Sequence, residues 1–274
     1  MRIAFSIITC ALLACCAIHS PQAGPVGFRL QSSVRDFNPT VVTNMAAWWA
    51  ARKESAFIHG DSVGTVADQT GNGLSLTQAT ASKKPLFLTG QKNGLPAFSA
   101  DGVDDFLSGG DILDIGTGSI HFFLVAKFDS VSAASSVMAK SLYAGSIFRY
   151  ALYQDTSDWF GFVETSGSVN IEAKGGTPDT SWHLFEFVVD RTGAGTVKVF
   201  VDGAEIGSGS LGGDASNYIT ALRFLLFAYN NATDTGETLF MPGKIAEVWC
   251  WQRVLTGDER TTLRNGANSL YSIY

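Results

Sequence analysis

The stretch WHLFEFVVDRTGAGTVKVFVDGAEI, residues 182–206, decides the fold class, because three runs of period two follow one another with turn chemistry between them. In the first run His183, Phe185, Phe187 and Val189 point one way, and Trp182, Leu184, Glu186, Val188 and Asp190 point the other. That alternation is what a pleated strand imposes. Residues 191–195 supply a turn in which Gly193 and Gly195 are free to take positive φ. The second run sets Val197, Val199 and Val201 against Lys198, Phe200 and Asp202, and Asp202-Gly203 then signals a hairpin. A three-stranded meander of this kind cannot stand alone in water. It has to lay its apolar face on a second sheet, which the rest of the chain is expected to provide.

Working outward, SIHFFLVAKFD at 119–129 is apolar on both parities and is therefore expected as a central strand covered on two sides. Further strands are expected around Trp48-Trp49, over 61–68 and 74–78 on either side of TGNG, and at 85–88 and 96–98. Others follow at 147–154, 159–164, 168–174, 219–229 and 244–251. Thr256 and Glu259 form a capping box, so a short helix is expected from Gly257 to about Arg264, with Gly266 placed to end it. The chain has 274 residues, 46% apolar and 16% charged, with 29 glycines, which suits one large β domain. Its net charge of −6, with Lys83-Lys84 as the longest basic run, argues against a nucleic-acid groove.

Residues 1–23 read as an export signal: Arg2, then an uncharged apolar run over 3–18, with Pro21-Gln22-Ala23 ending it near a small residue. The run is shorter than the roughly 20 residues of a bilayer span, and no later segment qualifies as one. Leu12-Leu13-Ala14-Cys15 also resembles a bacterial lipobox, which would make Cys15 a lipid-anchored N-terminus. Residues 24–41 read as a linker or N-terminal arm and 42–274 as the domain, in a protein expected to be secreted or held at the cell surface. Cys10, Cys15 and Cys16 fall in the signal, which leaves Cys250 alone in an apolar run, as a buried and inert thiol.

The order Trp48-Trp49, DQTGNG at 68–73, GLPAFSADGVDDFL at 94–107, FLVAKF at 123–128, the meander, and GKIAEVWCWQRVLTGDER at 243–260 resembles the LamG-like branch of the concanavalin A-like lectin/glucanase superfamily, over roughly residues 46–274. The resemblance implies an all-β, two-sheet antiparallel jelly-roll sandwich, one sheet concave, with a short C-terminal helix, an architecture found in lectin domains.

Catalytic members of that superfamily carry a Glu-x-Asp-x-x-Glu strand, because retaining hydrolysis needs two carboxyls about 5–5.5 Å apart. No such run occurs here. Glu186, Glu205, Glu237 and Glu247 are isolated, Glu164 and Glu172 lie on different strands, and Glu247 reads as a satisfied structural acid among apolar neighbours. Nucleophile elbows, phosphate loops and zinc spacings are absent, and His59, His121 and His183 lie far apart, so the chain is not expected to be an enzyme. Lectin-like jelly rolls often use Ca²⁺, for which Asp101, Asp104 and Asp105 are the best local carboxylates, with Asp68 and Asn72 as neighbours if the resemblance holds. The plainer reading of the same acids is a solvated turn.

Glycan recognition asks for an aromatic face beside hydrogen-bonding side chains. Tyr153, Gln154 and Trp159, with Asp155 and Asp158 between them, and Tyr229 with Asn230 offer both, although each aromatic also fits a core or edge position. The function expected is an exported, non-catalytic module binding a glycan or a cell-surface ligand. The alternatives are a structural or adhesion domain of a surface or virion that binds protein, and a glycoside hydrolase or polysaccharide lyase whose carboxyls meet only on folding.

Overall fold

The structure, a computed structural model, describes residues 37–142 and 149–274. The expected export signal with its lipobox Cys15, and most of the expected arm, lie outside the described residues. So do the first residues of the strand expected over 147–154.

The meander forms as its alternation requires: β12 (His183–Asp190), β13 (Thr196–Val201) and β14 (Ala204–Ser210) pair antiparallel in sequence. Gly193 and Gly195 take φ 61° and 72° in the first turn, and Asp202 and Gly203 take 52° and 86° in the second. These strands occupy one end of a first sheet, continued through β7 (Ile120–Phe128), β18 (Pro242–Trp251), β5 (Leu95–Asp101) and β4 (Leu86–Lys92). β1 (Ala47–Ala50) adds beside the second half of β18. The second sheet runs in the order β11 (Asn170–Gly175), β10 (Trp159–Glu164), β9 (Tyr150–Gln154), β8 (Ser135–Lys140), β15 (Phe224–Leu226), β6 (Leu107–Gly110), β3 (Leu76–Thr77) and β2 (Thr65–Val66). β16 (Tyr229–Asn230) and β17 (Glu237–Thr238) pair with each other as a separate two-stranded ribbon. All of these pairings are antiparallel, and the fold is the jelly-roll sandwich the resemblance implies.

Between the sheets one parity of each central strand meets its counterpart. Phe122, Leu124, Phe185, Phe187 and Val199 of the first sheet pack on Tyr150, Leu152, Trp159, Val163 and Phe224 of the second. Each such side chain, fully buried, contributes roughly 1.5–3 kcal/mol. Cys250 is buried here, and burial pushes its thiol well up, as expected of an inert core residue.

The other parity of the first sheet is covered as well. Phe123, Val125, Leu184, Trp249 and Trp251 form a second core with α1 (Gly257–Tyr271). The capping box is present at Thr256 and Glu259, but the helix passes through Gly266 instead of ending there. Leu263, Ala267, Leu270 and Tyr271 recur at helical spacing and carry it onto the sheet. Gly266 is needed for a different reason: a Cβ there would stand 2.4 Å from the Phe37 ring, so the glycine seats that ring.

The helix is also held by charge. Glu186 of β12 accepts from His121 Nε2 at 2.8 Å and is ion-paired to Arg260 and Arg264. Burial raises a carboxyl, but bonds from His121 and Arg260 outweigh it and hold Glu186 down at about 2. Glu247 of β18 is the satisfied structural acid expected, and accepts from the indoles of Trp48 and Trp249, from Arg52 and from the Tyr271 hydroxyl.

The single strand expected over 219–229 is broken. Phe227, buried, takes φ 68°, donates its N–H to the Val137 carbonyl at 3.0 Å and accepts from Met241 N at 2.8 Å. This left-handed kink separates β15 from β16, and turns Tyr229 toward the outer face of the second sheet. The expected strands at 61–68 and 74–78 shrink to the two-residue β2 and β3.

Candidate functional site

Helix α1 covers the outer face of the first sheet, whereas the outer face of the second carries a cavity of about 360 Å³. The parity of three adjacent strands builds it. In β9, Tyr150 and Leu152 point into the sandwich and Ala151 and Tyr153 point out; in β10, Trp159, Gly161 and Val163 point in and Phe160 and Phe162 point out. In β11 the outward residues are Asn170, Glu172 and Lys174. The walls include Arg149, Tyr153, Asp155, Phe162, Glu172 and Tyr229.

The aromatic part is rigid. The Tyr153 ring stacks on Phe160 with centroids 5.0 Å apart and meets Phe162 edge-on at 6.0 Å. Phe162 in turn stacks on Tyr229 at 6.5 Å, and the Tyr229 hydroxyl is 2.5 Å from Ser141 Oγ. Leu239, with φ 49°, completes the wall, a strained backbone position at the edge of the cavity. Burial, followed by the nearby charge of Glu172, pushes the Tyr153 phenol well above its usual value. Burial likewise raises Tyr229, to about 12. Both hydroxyls are therefore neutral in ordinary buffers. They serve as hydrogen-bond groups, and Tyr153 is not set up as a tyrosinate nucleophile.

The polar part has an ion pair behind it and acids in front. Arg149 Nε is bonded to Glu164, its Nη1 donates to the Leu142 carbonyl, and its side chain is 11% exposed. Glu172, 38% exposed, has Lys174 Nζ at 3.3 Å. Asp155 spends Oδ1 on the N–H groups of Ser157 and Asp158, at 2.6 and 2.9 Å, in an Asx turn joining β9 to β10. No acceptor-committing bond is found for its Oδ2 among the described residues.

Of the five residues expected to bind ligand, Tyr153 and Tyr229 line this cavity and the other three do not. Trp159 is 3% exposed and packs edge-on against Phe185 at 4.9 Å, inside the sandwich. Gln154, directly opposite it, is buried and donates to the Ala133 carbonyl and Ser135 Oγ. Asn230 is buried and donates to the Arg223 carbonyl. The correction has one cause: adjacent residues of a strand face opposite ways, so Tyr153 and Gln154 cannot share a site, nor can Tyr229 and Asn230. Sequence reasoning missed Arg149, Phe162 and Glu172. The alternation Phe160, Phe162, Glu164 was the available signal for that face.

Asp101, Asp104 and Asp105 do come together, each offering an oxygen within 4.8 Å of the others. Burial, then the charges of Asp101 and Asp104, raises the Asp105 carboxyl to about 6 despite a bond from Asp101 N. These oxygens also hold their own corner: Asp101 Oδ1 accepts from Val103 N at 2.8 Å and Asp105 Oδ2 from Asp101 N at 3.1 Å. Two of the three carboxylates thus accept bonds within their own corner, whereas Ca²⁺ takes six to eight oxygens. Asp68 is spent on the N–H groups of Trp48, Thr70 and Leu74, and Asn72 on the carbonyls of Met45 and Ala46. Both fasten β1 to its neighbouring loop.

One titrating group stands at an end of the sandwich. His183 has Asp202 Oδ2 2.7 Å from Nδ1 and Asp179 Oδ1 3.0 Å from Nε2. Burial lowers a histidine, but bonds to Asp202 and Asp179 prevail and raise it above 6.5. Its stabilising contribution is therefore full below the ordinary histidine value, and is lost as pH rises through the raised one. His183→Gln should lower the melting temperature most in acid, and the gap to the native chain should close as pH rises. Comparing the two chains removes the opposite contribution of His121, which burial lowers below the ordinary histidine value. A gap that is constant or widens toward alkaline pH would contradict the assignment.

A two-sheet antiparallel sandwich with one outer face under a helix and an aromatic, hydrogen-bonding cavity on the other is a jelly-roll domain. The chain belongs to the concanavalin A-like lectin/glucanases superfamily, whose family model matches residues 113–259, more than half of its length. No curated protein matches it. Among solved structures, the binding domain of Paraclostridial Mosquitocidal Protein 1 aligns with TM-score 0.61 and 9% identity, over 81% of this chain and 52% of that one. Domain 4 of AbnA, an extracellular arabinanase of family GH43 from Geobacillus stearothermophilus, in complex with arabinotriose, aligns with TM-score 0.56 and 16% identity, over 81% and 98%. The ligand binding domain of Botulinum neurotoxin serotype D in complex with N-acetylneuraminic acid aligns with TM-score 0.56 and 8% identity, over 81% and 51%. The chain spans about half the length of the two toxin domains, and at these identities the likeness is one of fold.

Proposed function

We propose that this chain is an exported, non-catalytic module that binds a glycan in the cavity on the outer face of the second sheet. The observation that carries the reading is the Tyr153–Phe162–Tyr229 wall with Asp155 and Glu172 beside it. Apolar ring faces suit the C–H side of a sugar, and the acids suit its hydroxyls. A volume of about 360 Å³ sits at the small end of the ~300–1,000 Å³ usual for small ligands, which suits one or two sugar rings. Two of the similar structures hold sugars, arabinotriose in one and N-acetylneuraminic acid in the other, which supports the same reading. Export rests on residues 1–23, with attachment through Cys15 as one form of it. Among the described residues no helix is long and apolar enough to cross a membrane.

A second reading has one observation in its favour. Folding brings Glu164 and Glu172 onto the same face of adjacent strands, and a hydrolase would start from carboxyls sharing a groove. Against it, the Glu164 oxygen is committed to Arg149 and is not presented to the groove. We therefore expect glycan binding without release of reducing sugar.

Tyr153→Ala should weaken binding on a glycan array by at least about tenfold, some 1.4 kcal/mol, with the melting curve little changed. Full binding by a folded Tyr153→Ala chain would remove the cavity from consideration. Release of reducing sugars by the native chain would replace the binding reading with the hydrolytic one.

A further inference from the structure

We propose that the cavity selects uncharged sugars and rejects those bearing a carboxylate or sulfate. This rests on the glycan reading above and names the ligand class for that site.

The two signs of charge are presented unequally. The cation of the wall, Arg149, is nearly buried and already holds Glu164 and the Leu142 carbonyl. The acids are forward. Glu172 is 38% exposed, and its partner Lys174 is 52% exposed, so that pair is solvated and weak. Asp155 has one oxygen bound to the N–H groups of its own turn and reaches the cavity as an acid without a basic partner among the described residues. Counting Arg149 and Lys174 against Asp155, Glu164 and Glu172 leaves one net negative charge.

A sugar hydroxyl entering this cavity finds carboxylate acceptors, and charge-assisted bonds of that kind are the stronger ones. A sialic or uronic acid entering the same space finds, among the described lining residues, Arg149 as the one cation, already paired with Glu164, and sets its own charge beside Asp155 and Glu172. Like charges brought together without a counter-ion oppose association. The Tyr153 and Tyr229 hydroxyls, kept neutral by burial, add polar groups without adding charge.

The test is an array of neutral oligosaccharides, each printed beside its sialylated or uronate counterpart. It is probed with the native chain and with the double variant Asp155→Asn, Glu172→Gln, whose amides keep the shape and the Asx-turn acceptor. The native chain should bind neutral members at least about tenfold more tightly than their acidic counterparts. That ratio should fall toward unity in the double variant, and binding of neutral members should hardly change with salt. Acidic members bound as well as neutral ones by the native chain would overturn the selectivity and leave glycan binding standing. A preference for neutral sugars that survives in the double variant would also overturn it, since the carboxylates would not be its source. No binding to any member would remove the glycan reading and this inference together.

Discussion

Glu247→Ala is expected to cost about 3–5 kcal/mol of stability, read as a lower urea midpoint at unchanged slope. The carboxylate is buried and bonded on every side: the Trp48 indole at 2.6 Å, the Trp249 indole at 2.9 Å, Arg52 through Nε and Nη2 at 2.9 Å, and the Tyr271 hydroxyl at 2.6 Å. Removing it leaves a guanidinium that is only 6% exposed without its counter-ion, and three further donors without an acceptor. Those donors come from β1, β18 and α1, so the loss should loosen the helix and the first strand together. Glu247→Gln keeps one acceptor oxygen and should fall between the two. A loss below about 1 kcal/mol for the alanine variant would show that the cluster is incidental to stability.

Gly207→Ala should cost about 3 kcal/mol, the upper part of the usual range for overpacking. A Cβ at 207 would stand 2.4 Å from Lys174 N and 2.5 Å from its carbonyl oxygen, and one at 209 would stand 2.6 Å from the Glu172 carbonyl oxygen. The obstacle is backbone, which cannot rotate away as a side-chain tip can. These glycines let β14, the edge of the first sheet, press on β11, the edge of the second, and so close the sandwich on this side. The variant should also weaken glycan binding, because Glu172 and Lys174 ride on the strand that must shift. Gly212→Ala is the contrasting case: its φ of 63° is left-handed, unlike that of Gly207, and nothing lies within 4 Å, so the ~1–2 kcal/mol backbone term should appear without any overpacking. Equal costs at 207 and 212 would refute the close-approach explanation.

The legible and illegible parts of the site divide along particular residues. Tyr153 and Tyr229 were found from their type and their polar neighbours. Gln154 and Asn230 adjoin them in sequence, which in a strand places neighbours on opposite faces, and Trp159 stands across from Gln154 on the inner face. Nothing local says which parity of β10 is inside. Trp159 and Val163 on one face, and Phe160 and Phe162 on the other, are equally apolar, and only the packing of Trp159 on Phe185 decides it. The break at Phe227 was equally hidden, since it depends on bonds to Val137 and Met241. Gly266 misled for a related reason: a glycine near a helix end usually stops it, and here it makes room for Phe37.

The sequence by itself determined the sandwich, its meander with both turns, the capped helix and the absence of a catalytic motif, because strand period, left-handed turns and N-caps are set by a few neighbouring residues. Only the tertiary structure decided which face is open. It also decided that Arg149, Glu164 and Glu172 meet on that face, and that Glu186 and Glu247 are consumed in holding α1. Those outcomes come from pairings between residues far apart in the chain, where burial and partner geometry act and local propensity carries no information.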